Sequence, residues 1–219
     1  SGPEIGVAAT KTFTAQLSVL VKIVMALARK REVLRSADLE ALQNGFNRLP
    51  GWISIVLSTQ EERVKRIVEK YSDRSSFCFL GRGIGVATAL EGRLKLLELS
   101  YLPAIAYAAG ESKHGFISVV EEGYPVIFIA PRDETYSKMI GNTMEMKARG
   151  AQIISIVDDQ DGEVSGLSDE TVTVPPGIPS MLTPIVFVVP LQLFAYYMAA
   201  GKGYDPDFPR NLAKSVTVH

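Results

Sequence analysis

Two hydrophobic rhythms divide the chain near Ser75. Before it, apolar residues recur at helical spacing. The segment Val7 to Ala28 carries Phe13, Leu17, Leu20, Val21, Val24 and Leu27, a stripe wide enough to be largely buried. Ser36 is placed to cap a second helix, with Asp38 and Glu40 in its first turn. Pro50 suits the first turn of a third helix. Thr59 followed by Glu62 is a capping-box pattern for a fourth, ending near Tyr71.

After Ser75 the rhythm changes to short apolar runs alternating with helical stretches. Strands are expected at Phe77–Leu80, Ala104–Tyr107, Val126–Ala130, Ile153–Val157 and Thr171–Val174. Helices fit Val86–Leu99, Thr135–Arg149 and Pro184–Ala200. Continuously hydrophobic strands with intervening helices predict a parallel sheet covered on both faces. The fold class is therefore α/β: an open parallel five-stranded sheet flanked by helices, behind an N-terminal helical arm. Three regions follow, a helical arm over 1–74, the sheet-bearing unit over 75–203 and a terminal arm over 204–219.

Composition narrows the function. With 24 acidic against 23 basic residues, the chain shows no electrostatic footprint for nucleic acid. Arg29-Lys30-Arg31 reads as the basic end of a helix rather than a phosphate site. The one cysteine, Cys78, lies in an apolar run, which excludes an internal disulfide and any cysteine-built metal site. A reducing cytoplasm fits, and no signal-peptide pattern opens the chain. The uncharged stretch from Met181 to Ala200 is long enough to cross a bilayer. Its Pro184, Pro190 and Gln192, and its lack of basic flanks, favour a buried core helix instead. The start, Ser1-Gly2-Pro3-Glu4-Ile5-Gly6-Val7, reads as the middle of a longer protein.

Candidate chemistry collects in four places. Leu80-Gly81-Arg82-Gly83-Ile84-Gly85 sits between a strand and a helix, where amides could face an anion. It lacks the downstream acidic residue of a dinucleotide fingerprint, so a tight turn is the simpler reading. Glu91, Lys95 and Glu98 share one face of the next helix, beside the apolar stripe Leu90, Leu94 and Leu97. On spacing alone they would form a solvated ion-pair face. His114 lies in a glycine-bounded loop that permits close approach to a ligand, and histidine is the side-chain type suited to proton transfer. Lys214, near the terminus, gains nucleophilicity toward a ketone only if the arm carrying it docks and desolvates it. That arm, stiffened by Pro206 and Pro209, is expected to fold toward the carboxyl edge of the sheet, near the helix carrying Glu98.

The order and spacing of GPEIGVAATKTFTAQ, LGRG, ALEGRLKLLE, YAAGESKHG, VPLQLFAY and DFPRNLAKSVTV carry a resemblance along nearly the whole chain. The sequence resembles the glucosamine-6-phosphate synthase family (glutamine:fructose-6-phosphate aminotransferase, isomerising), in the carboxy-terminal half of its sugar isomerase (SIS) domain. The resemblance implies that 1–74 joins two isomerase subdomains and that 75–203 is the second of them. It implies a reaction in which glutamine-derived ammonia reaches fructose-6-phosphate and the product is isomerised to glucosamine-6-phosphate. Carried onto matching positions, Glu98 would be the base between C1 and C2, with Lys95 assisting. His114 would open the sugar ring in the neighbouring subunit's site, which implies a homodimer. Lys214 would engage the ketose carbonyl, backbone near Val7 and Ala213 would line the sugar, and Glu91 would join the substrate-binding set. No cofactor and no metal is implied. The partners implied are the sugar phosphate, an N-terminal glutaminase domain and the first isomerase subdomain, with neither nucleic acid nor membrane.

Departures from the family pattern are few. The glutaminase uses an N-terminal cysteine and the phosphate cradle a Ser/Thr-rich loop, and this chain carries neither. The corresponding strand end here is Ala130-Pro131-Arg132-Asp133-Glu134-Thr135. This chain by itself is therefore expected to be inactive and to hold sugar phosphate weakly. Ser112, Phe116 and His219 stand where the family usually has leucine, proline and glutamate. The competing reading is a non-catalytic SIS module that senses sugar phosphates, which would have no use for Glu98, His114 and Lys214 together.

Overall fold

The computed structural model describes residues 1–3 and 5–213. Helix α1, Lys11–Arg31, ends on Arg29, Lys30 and Arg31, where positive charge meets the carbonyl end of the helix. Its apolar stripe is not largely buried as expected. Val21 is buried and Phe13 and Leu17 partly so, but Leu20, Val24 and Leu27 are exposed. The reason is that α1 meets the rest of the molecule along one narrow line, and no other described residue covers its far flank.

Helix α2, Ser36–Tyr71, is one element where three were expected. Proline removes one i→i−4 hydrogen bond from a helix interior. Here Leu49, Trp52 and Val56 are buried around Pro50, and packing outweighs the local penalty. Neither expected cap forms. Thr59 Oγ1 donates to the Ile55 carbonyl as a mid-helix residue does. At the start, Arg35 takes the flanking position and its guanidinium grips the Asp38 carboxylate at 2.7 and 2.8 Å.

Strand β1 (Phe77–Gly81) leads to helix α3 (Gly85–Ser100) and strand β2 (Ala104–Ala108). Strand β3 (Pro125–Ala130), helix α4 (Tyr136–Lys147) and strand β4 (Gln152–Asp158) follow. The short helix α5 (Val164–Leu167), strand β5 (Glu170–Val174) and helix α6 (Thr183–Gly201) complete the order. All strand pairs are parallel, arranged β2-β1-β3-β4-β5. Every strand lies where its apolar run predicts it.

Alternation along the strands separates two cores. Phe77, Phe79, Ile127, Ile129, Ile154, Ile156, Val172 and Val174 face α2, α3 and α6. Cys78, Leu80, Val126, Phe128, Ile153 and Val157 face the opposite layer, with Met139 and Met146 of α4 and Phe116. Among the described residues, α1 and α6 are long and apolar enough to cross a membrane. Helix α6 is instead the central core helix, packed between α2 and α3 and buried continuously from Thr183 to Leu191.

Candidate active site

Helix α3 begins just beyond the carboxyl end of β1 and ends just before the amino end of β2. A crossover between parallel strands must run back along the sheet in this way. Its last turn, which carries Glu98, therefore lies at the amino edge. The Gly81-to-Gly85 turn lies at the opposite end. There a Cβ on Gly81 would sit 2.3 Å from the Gly85 carbonyl oxygen, and Gly83 has φ +50°, so these glycines serve a tight turn.

Glu91, Lys95 and Glu98 form a charge triad around a buried lysine, its two carboxylates half-buried, rather than a solvated face. Lys95 Nζ lies 2.6 Å from Glu98 Oε2 and 3.4 Å from Glu91 Oε1. The lysine side chain is 3% exposed, against 11% for Glu91 and 23% for Glu98. The shorter contact is a charge-assisted hydrogen bond. The longer is an ion pair whose angle leaves Glu91 Oε1 without a hydrogen bond. Burial pushes the Glu91 carboxyl above the ordinary carboxylate range, against the opposing pull of Lys95. The neighbouring Leu90 and Leu94 are exposed. They line an apolar cavity of about 520 Å³ between α1 and α3, with Glu91 in its wall.

Two distant segments meet at the end of α3. Tyr101 stops the helix in the left-handed conformation, φ +60°, and its N–H donates to the Leu97 carbonyl. The Tyr101 hydroxyl accepts the Arg210 N–H at 2.7 Å. The Arg210 guanidinium lies 4.1 Å from the centre of the same ring, and the Tyr204 ring 4.8 Å from it. From the other side, the Val7 N–H donates to the Asp207 carbonyl at 3.0 Å. Ala8 packs on Leu99, Ala195 and Ala199. A cavity of about 300 Å³ opens between these segments, walled by Thr10, Lys11, Leu99, Gln192 and Asp207.

The structure thus brings Val7 and the residues from Tyr204 to Arg210 to the helix that bears Lys95 and Glu98. It does so at the amino edge of the sheet, not the carboxyl edge that sequence reasoning favoured. The correction follows from the direction of α3. Lys214 lies outside the described residues, and Ala213, the last described one, is exposed. His114 ends a short 3-10 turn, Ser112–His114, and is exposed. Two residues on, Phe116 packs into the core of the face opposite α3, so one chain does not gather His114 with Glu98. Among the described residues, no cluster of three His, Cys, Asp or Glu is placed to hold a metal ion.

A family model described as the SIS domain matches residues 70–202.

The chain belongs to the SIS domain family.

Its relatives are consistent with that membership. The glutamine–fructose-6-phosphate aminotransferase (isomerizing) of Thermococcus kodakarensis is 47% identical over 218 residues, covering all of this chain and 36% of that protein. The Pyrococcus horikoshii protein of the same name is 45% identical, again over the whole chain and 35% of its own length. This chain therefore spans about a third of the curated relatives it matches. Among solved structures, the C-terminal domain of glucosamine-fructose-6-phosphate aminotransferase from Francisella tularensis superposes with a TM-score of 0.87 at 34% identity. That match covers 94% of this chain and 58% of the other.

The SIS match contains the triad but neither Val7 nor the segment beyond Tyr204. The site is thus an SIS helix end covered by chain from outside the matched region. Tyr101, Tyr204 and Arg210 went unnoticed in the sequence. Contacts spanning 109 residues leave no local signature, and an aromatic pair with one arginine is unremarkable in composition.

Proposed function

We propose that this chain is the isomerase-domain portion of a glutamine–fructose-6-phosphate aminotransferase. Within the full-length protein it serves the conversion of fructose-6-phosphate and glutamine-derived ammonia to glucosamine-6-phosphate, in the cytoplasm. The observation that carries this reading is the burial of Lys95 between two carboxylates at a helix end, with both Val7 and the 204–213 segment folded onto it. A module that only senses sugar phosphates has no use for such a triad.

In this reading Glu98 moves the proton between C1 and C2. It is the more exposed carboxylate of the triad, so it can meet a substrate while Lys95 holds it in place at 2.6 Å. Lys95 places a cation beside the negative charge that develops on an enediol-type intermediate. Glu91 secures Lys95 from its other side and belongs to the substrate-binding set. Lys214 engages the open-chain ketose carbonyl, and backbone at Val7 and Ala213 lines the sugar. His114 opens the sugar ring in a neighbouring subunit's site. Its loop, set against the sheet face opposite α3, supports a homodimer in which each site borrows a histidine. The exposed flank of α1 suits contact with the first isomerase subdomain, so 1–74 joins the two subdomains.

The test is turnover by the full-length protein that contains this chain. Fructose-6-phosphate and glutamine should yield glucosamine-6-phosphate. Binding of the sugar phosphate with no turnover would overturn the proposal in favour of a regulatory module.

A further inference from the structure

Tyr101 occupies a backbone conformation that glycine adopts far more readily. Helices commonly end on a residue in the left-handed region, and that residue is usually glycine because a Cβ is strained there. A bulky aromatic side chain at φ +60° is a genuine outlier. Such strain persists where the surroundings over-determine it, and an observed outlier is a reason to ask what the side chain does. Here the side chain makes three contacts to one segment. Its hydroxyl accepts the Arg210 N–H at 2.7 Å, its face lies 4.1 Å from the Arg210 guanidinium, and its ring meets that of Tyr204 at 4.8 Å. Among the described residues, no other hydrogen bond or ring contact runs from the end of α3 to the 204–213 segment, and Tyr101 stands three residues after Glu98.

We infer that Tyr101 is a positioning residue that latches the 204–213 segment onto the end of the helix bearing Glu98. The inference rests on the proposed isomerase function for its catalytic consequence and on contact geometry alone for the latch itself. Lys214 follows Arg210 by four residues, so the point at which Arg210 is fixed governs where that lysine can reach. The helix terminates in the conformation glycine prefers, yet a tyrosine stands there. Its side chain serves the neighbouring segment rather than the helix.

This separates the latch from a merely structural role. Tyr101→Gly removes the hydroxyl and ring while relaxing the backbone, so helix termination survives. In the full-length protein, its melting temperature should equal or exceed the wild type's, while kcat for glucosamine-6-phosphate formation falls about tenfold or more and KM for fructose-6-phosphate rises. Amide exchange should accelerate in 204–213 and stay unchanged in 85–98. Tyr101→Phe keeps the ring and loses only the hydrogen bond, and should fall between the two. Unchanged kcat, KM and arm exchange in Tyr101→Gly would overturn the inference, as would an activity loss explained by a lowered melting temperature. Should the wild-type protein form no glucosamine-6-phosphate, the functional reading fails, and the exchange result alone decides whether Tyr101 holds the segment.

Discussion

Lys95 Nζ approaches Glu98 Oε2 to 2.6 Å at a point where only 3% of the lysine side chain meets solvent. A cation so placed is compensated almost entirely by the carboxylates on its own helix face. Glu98→Gln keeps the shape and a hydrogen-bonding oxygen while removing the base. Isomerisation by the full-length protein should fall by about two to four orders of magnitude, with sugar-phosphate affinity retained. Steady-state rates and a binding titration, run on the same preparation, check this. A variant with normal turnover would remove Glu98 from its proposed role.

Glu91 gives a dependence on pH. Burial raises its folded pKa above the unfolded value, so the native state keeps a proton over a window in which the unfolded chain has released it. The stability tied to this group is present below the unfolded pKa and lost as pH rises through the folded one. Glu91→Gln lacks that loss. Its stability relative to wild type should therefore improve as pH rises above the ordinary glutamate range, as followed by urea melts. A relative stability that worsens with that rise would contradict the assignment.

Gly81 closes the turn between β1 and α3. A Cβ there would stand 2.3 Å from the Gly85 carbonyl oxygen, which is backbone and has no rotamer to yield. Gly81→Ala should cost about 3 kcal/mol or more. Gly141→Ala, where an added Cβ meets nothing within 4 Å, is the control and should be neutral or mildly stabilising. Equal melting temperatures for the two variants would refute the clash.

Sugar phosphate should bind the 219-residue chain only weakly. A phosphate dianion needs several convergent donors. At the carboxyl end of β3, Thr135 already spends its hydroxyl and its amide on Asp133 Oδ1, at 2.7 and 2.8 Å. Calorimetry with glucosamine-6-phosphate is expected to give a dissociation constant of about 1 mM or weaker. Micromolar affinity would reveal a phosphate site among residues assigned none.

The sheet was legible because its central strands β1 and β3 are unbroken apolar runs buried on both faces, as Phe77 to Leu80 and Val126 to Ala130 show, while the edge strands β2 and β5 are only partly buried and were marked by short β-prone runs. The triad was legible in spacing but not in environment. Helical periodicity puts Glu91, Lys95 and Glu98 on one face, yet cannot say that α6 and the sheet press that helix so closely that Lys95 is buried. Helix boundaries failed where residues usually found at helix ends were absorbed by packing. Pro50 and Thr59 both sit inside α2, one held by buried neighbours and the other bonded to Ile55. The α1 stripe misled in the opposite sense, because its period reports an amphipathic face and not what covers it. The joining of Val7 to Asp207 and of Tyr101 to Arg210 had no local precursor in the sequence.

An unbroken α2 makes one long lever of residues 36–71. At 1.5 Å per residue it extends about 54 Å, so each degree of tilt at one end displaces the other by roughly 1 Å. Its late half is bolted to the sheet, where Arg63 and Lys70 both grasp Glu170, at 2.8 and 2.7 Å. Its early half carries α1 and that helix's exposed apolar flank. A body seated on α1 would therefore be steered by the sheet through a shaft whose one missing rung is the amide of Pro50. Small adjustments around β5 would reach it as ångström-scale movements, with no flexible joint between to absorb them.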